Sequence, residues 1–253
     1  MQEFFKRKIA LVFAAVNVVT LLLTLLVRFI RIEINGQIMD SSSLGDAVIS
    51  PMLSGFATFM DVLVFIAVMM TAGLIPGMLA KGRAEFYLAA PLARATVFRN
   101  KVTAIWILYG SAVVASLLLN FVVAAVAIGF FSAGVLYIAV IGVLNLLVWL
   151  SLTSFVGAVT GSAAIAIVGA FGIWMAQVML GARHALKMLT ESKVVIYAAD
   201  ALYYILPKNR EMSTMAKNLA TGMPVDWLPL YSSLLFAAAL LWATCVLVTR
   251  KDF

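Results

Sequence analysis

Charge is what this chain has least of. Asp, Glu, Lys and Arg make up 11% of its 253 residues, where ordinary soluble domains carry about a quarter. Hydrophobic residues account for 64% and the mean hydropathy is +1.09, which excludes an ordinary water-soluble domain. The single cysteine, Cys245, can form no intrachain disulfide, so cysteine usage says nothing about the redox compartment. One histidine, His184, and no His/Cys/Asp/Glu set at metal-ligand spacing leave a metal enzyme without ligands. A G-x-S-x-G elbow is missing, and so is a Ser/His pair on neighbouring apolar runs. No G-x-x-x-x-G-K-[ST] phosphate loop occurs, so ATP and Mg, if the protein depends on them, sit on another chain. No cofactor is expected in this one. The net charge of +7 has no soluble basic domain to carry it, which argues against nucleic acid as a partner. Excess Lys and Arg in so apolar a chain reports topology and contact with the anionic head groups of a lipid bilayer.

What the chain does have is long apolar runs, several near the roughly 20 residues that a helix needs to cross a bilayer. They predict an all-α polytopic membrane protein forming a single transmembrane domain. Six spans are expected at about 9–27, 57–80, 102–131, 135–156, 163–181 and 228–249. The first is too long for a signal-peptide core and lacks a small-residue cleavage site, so it reads as a retained span. Residues 28–50 read as a polar loop, and 130–134 ("FFSAG") and 157–162 ("GAVTGS") as short turns. Residues 182–227 mix apolar and charged positions at helical spacing up to Pro207. They predict one or two amphipathic helices lying on the outer face or capping the bundle. Trp227 and Tyr231 are placed as an interfacial aromatic anchor.

An even number of spans puts both termini on one side. That side holds Lys6, Arg7 and Lys8, the basic stretch 81–101, and Arg250 and Lys251, in short segments with little acid. The denser basic side is cytoplasmic, so both termini and residues 81–101 are expected inside the cell.

Five polar residues in or beside the spans are candidates for a translocation path: Asn17, Asn120, Asn145, Gln177 and Asp61. The four amides have a plainer reading as hydrogen-bonding glue between helices. Asp61 falls at the outer interface if the second span proper begins at Val62, where a carboxylate costs little. Ser162, Ala166 and Ala170 recur every four residues, with Gly157 and Gly161 just before them. Such spacing gathers small residues on one helix face, where two backbones can approach closely.

Residues 81–101, "KGRAEFYLAAPLARATVFRNK", carry one more signal. The order Lys81–Gly82–Arg83, Glu85, "LAAP", Arg94 and Lys101 resembles the cytoplasmic loop of type-2 ABC exporter permeases. Six spans, a basic amphipathic start ("MQEFFKRK"), helices before the last span and a short charged tail are similar to that family too. Size and layout are similar to the small permeases of nitrous-oxide-reductase maturation and related export systems. The resemblance covers the whole chain as architecture and about twenty residues as motif.

It implies that residues 83–90, stopped by Pro91, form a coupling helix docking on a separate cytoplasmic ABC ATPase. Phe86, Tyr87 and Leu88 would be its apolar contact, Arg83 and Glu85 its polar rim, and Arg94 would face phosphates or the partner. Residues 2–8 would be an interfacial elbow helix. A second copy of the chain, or a paralogue, would complete the path in the inner membrane. The function implied is that of a permease subunit of an ATP-driven exporter. Two other classes stand beside it, an ion- or proton-coupled secondary carrier and a membrane assembly subunit that transports nothing.

Overall fold

The computed structural model describes residues 9–27, 32–34, 37–39, 46–79, 93–181 and 193–250. It is a helical bundle with one small hairpin. In chain order the elements are α1 (Ile9–Val27), β1 (Ile32–Ile34), β2 (Gln37–Met39), α2 (Asp46–Thr71) and α3 (Leu74–Leu79). These are followed by α4 (Arg94–Ile128), α5 (Gly134–Thr160), α6 (Ala163–Gly181), α7 (Lys193–Ile205), α8 (Asn209–Thr221) and α9 (Leu228–Arg250). Among the described residues four helical stretches are long and apolar enough to cross a membrane: Ser50–Leu79, Arg94–Ile128, Gly134–Thr160 and Leu228–Arg250. They mark the chain as an α-helical membrane protein. The apolar helices α1 and α6 are 19 residues each, shorter than any of these four.

Helix ends are set by local chemistry. Gly129 and Gly161 adopt φ of 70° and 68°, a left-handed conformation that only glycine takes cheaply, and so stop α4 and α5. At the other ends, small polar side chains accept from free backbone N–H groups. Ser132 Oγ accepts from Gly134 N at 3.1 Å, Ser162 Oγ from Ile165 N at 3.4 Å, and Asp226 Oδ1 from Leu228 N at 3.0 Å.

Four expected boundaries change. The second span begins upstream of 57 and is not one helix, because it breaks between Thr71 and Leu74. Pro76 explains the place: its ring has no N–H and crowds the carbonyl four residues back, that of Ala72. The Thr71 hydroxyl donates to the Val68 carbonyl at 3.1 Å as α2 ends. The third helix starts at Arg94 rather than 102, since no glycine or proline lies between Pro91 and Lys101 to delay it. Its 35 residues span about 50 Å at 1.5 Å each, more than the hydrocarbon core of about 30 Å, so it protrudes. The fourth runs to Thr160, which makes most of the expected 157–162 turn helical. The 28–50 loop contains the antiparallel β1–β2 pair, with Ile34 opposite Gln37 and Ile32 opposite Met39. Between the strands stands Asn35–Gly36, a favoured two-residue hairpin sequence.

α5 is the hub. It packs against α2, α3, α4, α6, α8 and α9, and Val148, Leu150, Ser151 and Leu146 on it are almost wholly buried. Three glycines bring neighbours close. A Cβ at Gly134 would lie 2.7 Å from the Ala220 carbonyl oxygen of α8, and one at Gly157 would lie 2.7 Å from the Pro76 ring of α3. One at Gly142 would overlap Met60 of α2. These contacts set directions: α3 lies by the last turns of α5, and the end of α8 lies by its first. Trp106 Nε1 of α4 donates to the Val143 carbonyl of α5 at 3.0 Å. Phe56, Phe121 and Phe130 cluster with centroids 5.7–6.3 Å apart where α2 meets the end of α4.

Replacing Gly134 by Ala is expected to cost about 1–3 kcal/mol, because a backbone carbonyl cannot rotate out of the way. Gly172→Ala, with nothing within 4 Å of the new carbon, is expected to hold or raise the Tm. Thermal unfolding of both variants in detergent checks this, and equal Tm values would mean that α8 does not sit against the start of α5.

Candidate functional site

The polar side chains named from the sequence divide among separate contacts. Asn17 on α1 and Asn120 on α4 meet. Asn17 Nδ2 donates to Ser116 Oγ at 2.8 Å and to the Phe13 carbonyl at 2.7 Å. Asn120 Nδ2 donates to Asn17 Oδ1 at 3.0 Å and to the Ser116 carbonyl at 2.9 Å. Both amino groups are thereby fully used, and only Asn120 Oδ1 is left without a partner. All three residues are buried, which makes this a closed clasp between α1 and α4. It has the form of interhelical glue.

Asp61 belongs to another contact. Its Oδ2 accepts from the Ser213 hydroxyl of α8 at 2.7 Å, so it joins α2 to α8. Asn145 is buried on α5, with Oδ1 lacking a partner. Arg94 opens α4. Arg83, Glu85, Phe86, Tyr87, Leu88 and Pro91 lie outside the described residues, as do His184 and the expected elbow helix 2–8.

Gln177 marks a place that the sequence did not single out. It lies near the end of α6 and lines a small, partly open pocket of about 30 Å³ with Leu180, Tyr203, Lys208, Arg210 and Glu211. The walls come from the end of α6, the end of α7 and the first turn of α8, so the pocket is where three chain ends converge. Lys208, the residue that leads into α8, is 4% exposed. Its backbone N–H donates to Ser233 Oγ at 2.8 Å and its Nζ to Ser232 Oγ at 3.2 Å, both on α9. The ammonium lies over the Tyr203 and Tyr204 rings, 4.8 and 5.6 Å from their centroids, an attraction that helps a buried cation. The Tyr203 hydroxyl donates to Glu211 Oε1.

α8 packs directly on the bundle. Met212, Met215 and Ala216 are buried against α2 and α5, and its opposite face carries Arg210, Thr214 and Lys217. The signal was in the sequence, because positions 212, 215, 216 and 219 are apolar at i, i+3, i+4 and i+7. Ala166 and Ala170 of the small-residue row on α6 are buried as expected. Ser162 caps that helix instead, and Gly161 ends α5.

Among the described residues no group of three or more His, Cys, Asp or Glu is arranged to hold a metal ion. No protein-family model and no curated protein matches the chain.

The clasp yields a direct prediction. Asn17→Ala is expected to cost more stability than Asn120→Ala, since it strips partners from both Ser116 and Asn120. A double-mutant cycle by thermal unfolding should show coupling of about 0.5–1.5 kcal/mol, the range of interhelical hydrogen bonds in membranes. Additive losses would mean that the two amides do not pair.

Proposed function

We propose that the chain is the membrane-spanning permease subunit of an ATP-driven ABC exporter, with ATP and Mg bound by a separate cytoplasmic ATPase. In this reading α1 and α6 also cross the bilayer, giving six spans, and both termini face the cytoplasm across the inner membrane. A second copy, or a paralogue, encloses the substrate path with it. Residues 83–90 form the coupling helix, with Phe86, Tyr87 and Leu88 against the ATPase, Arg83 and Glu85 at the rim, Pro91 as its stop and Arg94 beyond.

One observation carries the reading. The basic, proline-interrupted segment 80–92 is bounded by α3, packed through Pro76 on Gly157 near the end of α5, and by α4, which starts at Arg94. The α3 contact at Gly157 lies at the end of α5 away from the Ala220–Gly134 contact with α8. A charged segment between two such helices supports a reading in which a soluble subunit pushes on the bundle there.

The test is to purify the C-terminally tagged chain from its native membrane in mild detergent. A stoichiometric soluble subunit that hydrolyses ATP is expected, and Glu85→Arg or Tyr87→Ala is expected to lower its retention about tenfold while membrane insertion is unchanged. A homogeneous complex without ATPase activity, or full retention in both variants, would overturn the proposal.

The Asp61–Ser213 contact favours a second reading, a proton- or cation-coupled carrier, because it puts a carboxylate on a membrane-length helix against α8. In that case Asp61→Asn would abolish uptake driven by an ion gradient, whereas an ATP-driven exporter would keep ATP-dependent transport.

A further inference from the structure

Close contacts along α5 act as a ruler for the elements around it. Ala220 of α8 sits at Gly134, the first residue of α5. Met60 of α2 sits at Gly142, and its neighbour Asp61 accepts from Ser213 of α8. α8 therefore runs alongside α5 and antiparallel to it. Counted residue for residue, its first residue, Asn209, is level with about Asn145. α6 gives a second count. Gly157 faces Ala166 and Gly169 faces Val156, an antiparallel register that makes Gln177 level with about Leu147. Gln177 and Lys208 line the same pocket, so the two counts agree. α9 gives a third sign, because Lys208 reaches Ser232 and Ser233, which lie inside that helix and not at its first residue. The start of α8 is thus beside the middle of α5, whereas a pair of helices lying flat on the outer face would touch only its first turns.

Depth in a bilayer follows from that register. α5 has 27 residues, none of them charged, and is about 40 Å long at 1.5 Å per residue. Centred in a hydrocarbon core of about 30 Å, it puts the start of α8 about 12 Å inside the boundary. Irregular backbone persists at such depth only where protein or a water-filled cavity surrounds it. The turn between α7 and α8 meets that condition, since Pro207, Lys208 and Asn209 are buried and the Lys208 N–H is spent on Ser233.

The two helices that meet at this turn present opposite surfaces. Every exposed side chain described on α7, from Val194 and Tyr197 to Leu202 and Ile205, is uncharged. So wide an apolar face is unfavourable in water and at ease among acyl chains. It is also continuous with a lipid-facing belt, because α7 packs on α6 and α9, whose Met175, Met179 and Leu235 are exposed. On α8 the exposed side chains are instead Arg210 and Thr214, and Asp61, bonded to Ser213, is exposed beside them. Ionic side chains at membrane depth face water-filled cavities or the bundle interior, not lipid. We infer that α7, the turn and α8 form a re-entrant hairpin reaching the middle of the bilayer. Its α7 face lies against phospholipid acyl chains, and its Arg210–Thr214 face lines a water-filled vestibule open on the side where α5 begins. The inference does not depend on coupling to an ATPase.

The test uses the full-length chain with Cys245→Ser, so that each introduced cysteine is the only one. Leu202→Cys and Ile205→Cys on α7, Thr214→Cys on α8 and Leu235→Cys on α9 are made singly, all at exposed positions where a label disturbs packing least. Each is nitroxide-labelled and reconstituted in vesicles of phosphatidylcholine and phosphatidylglycerol. Power saturation is then read with oxygen, which concentrates in lipid, and with a nickel chelate, which stays in water. Oxygen is expected to dominate at Leu202, Ile205 and the lipid-facing reference Leu235. Ile205 and Leu235, on either side of the Lys208–Ser233 contact, should both read a depth of about 12 Å. The nickel chelate is expected to dominate at Thr214, so that two helices joined by one turn report opposite solvents. Two sites on α7 keep the test decisive if one variant fails to fold. The inference is overturned if the nickel chelate dominates on α7, which would put that helix in water, or if its labels read a depth near zero, which would lay it flat on the surface. It is equally overturned if neither reagent reaches α7, which would mean that protein such as a second copy covers it, or if Thr214 reports lipid.

Discussion

Close approach to α5 is the constraint on which the rest of this bundle depends. Between helices surrounded by lipid there is little hydrophobic driving force, since acyl chains are as apolar as leucine. Association then rests on packing and on the few polar contacts that cross between helices. α5 provides the packing by presenting glycine at its start, middle and end, so that α8, α2 and α3 approach where a methyl group would already collide. Each contact also orders the next element. With α3 fixed at one end of α5 and α8 at the other, the break after Thr71 and the pocket beside Lys208 acquire definite positions.

Polar side chains are handled in two opposite ways. In the Asn17–Ser116–Asn120 clasp both amino groups are spent on acceptors, and a single carbonyl oxygen is left over. Around Gln177 and Asn209 no amide atom is matched. Leaving a buried donor or acceptor unmatched costs about 1–3 kcal/mol, so the second arrangement carries a penalty that the first avoids. The same residue types therefore have different meanings in the two places. One closes a helix pair, while the other leaves buried amides unmatched at the cost of stability.

Hydropathy made the membrane class legible, together with the extents of α1, α6 and α9, because long apolar runs bounded by charge leave few alternatives. What it missed has physical causes. The β1–β2 hairpin was announced by Asn35–Gly36, but a three-residue strand is too short to show alternation. The burial of α8 was obscured by its polar composition, although its apolar stripe has full helical spacing. The row of small residues 157–170 read as one packing face, whereas caps and contacts divide it: Gly157 packs, Gly161 and Ser162 terminate helices, and Ala166 and Ala170 are buried. Nothing in the spacing of Asn17, Asn120 and Gln177 says which amide finds a partner, because that depends on how α1, α4, α6 and α8 are packed.

The break between α2 and α3 bears on how such a bundle could be driven. Had the second span been one straight helix, a displacement at one end would tilt it along its whole length. Pro76 instead separates a six-residue helix, α3, whose Leu74, Ile75, Pro76 and Met78 are buried and whose ring rests on Gly157. On the proposed reading, a push on residues 83–90 enters α3 first and passes to the last turns of α5, while α2 can pivot at Thr71–Gly73. α5 in turn touches α8 through Gly134, so the hub connects α3 with the helix that forms one wall of the pocket. A bundle made of packed, incompressible contacts transmits such a displacement by changing its arrangement as a unit. The glycine contacts of α5 thus join the two ends of the molecule, and a motion imposed at one end has a physical route to the other.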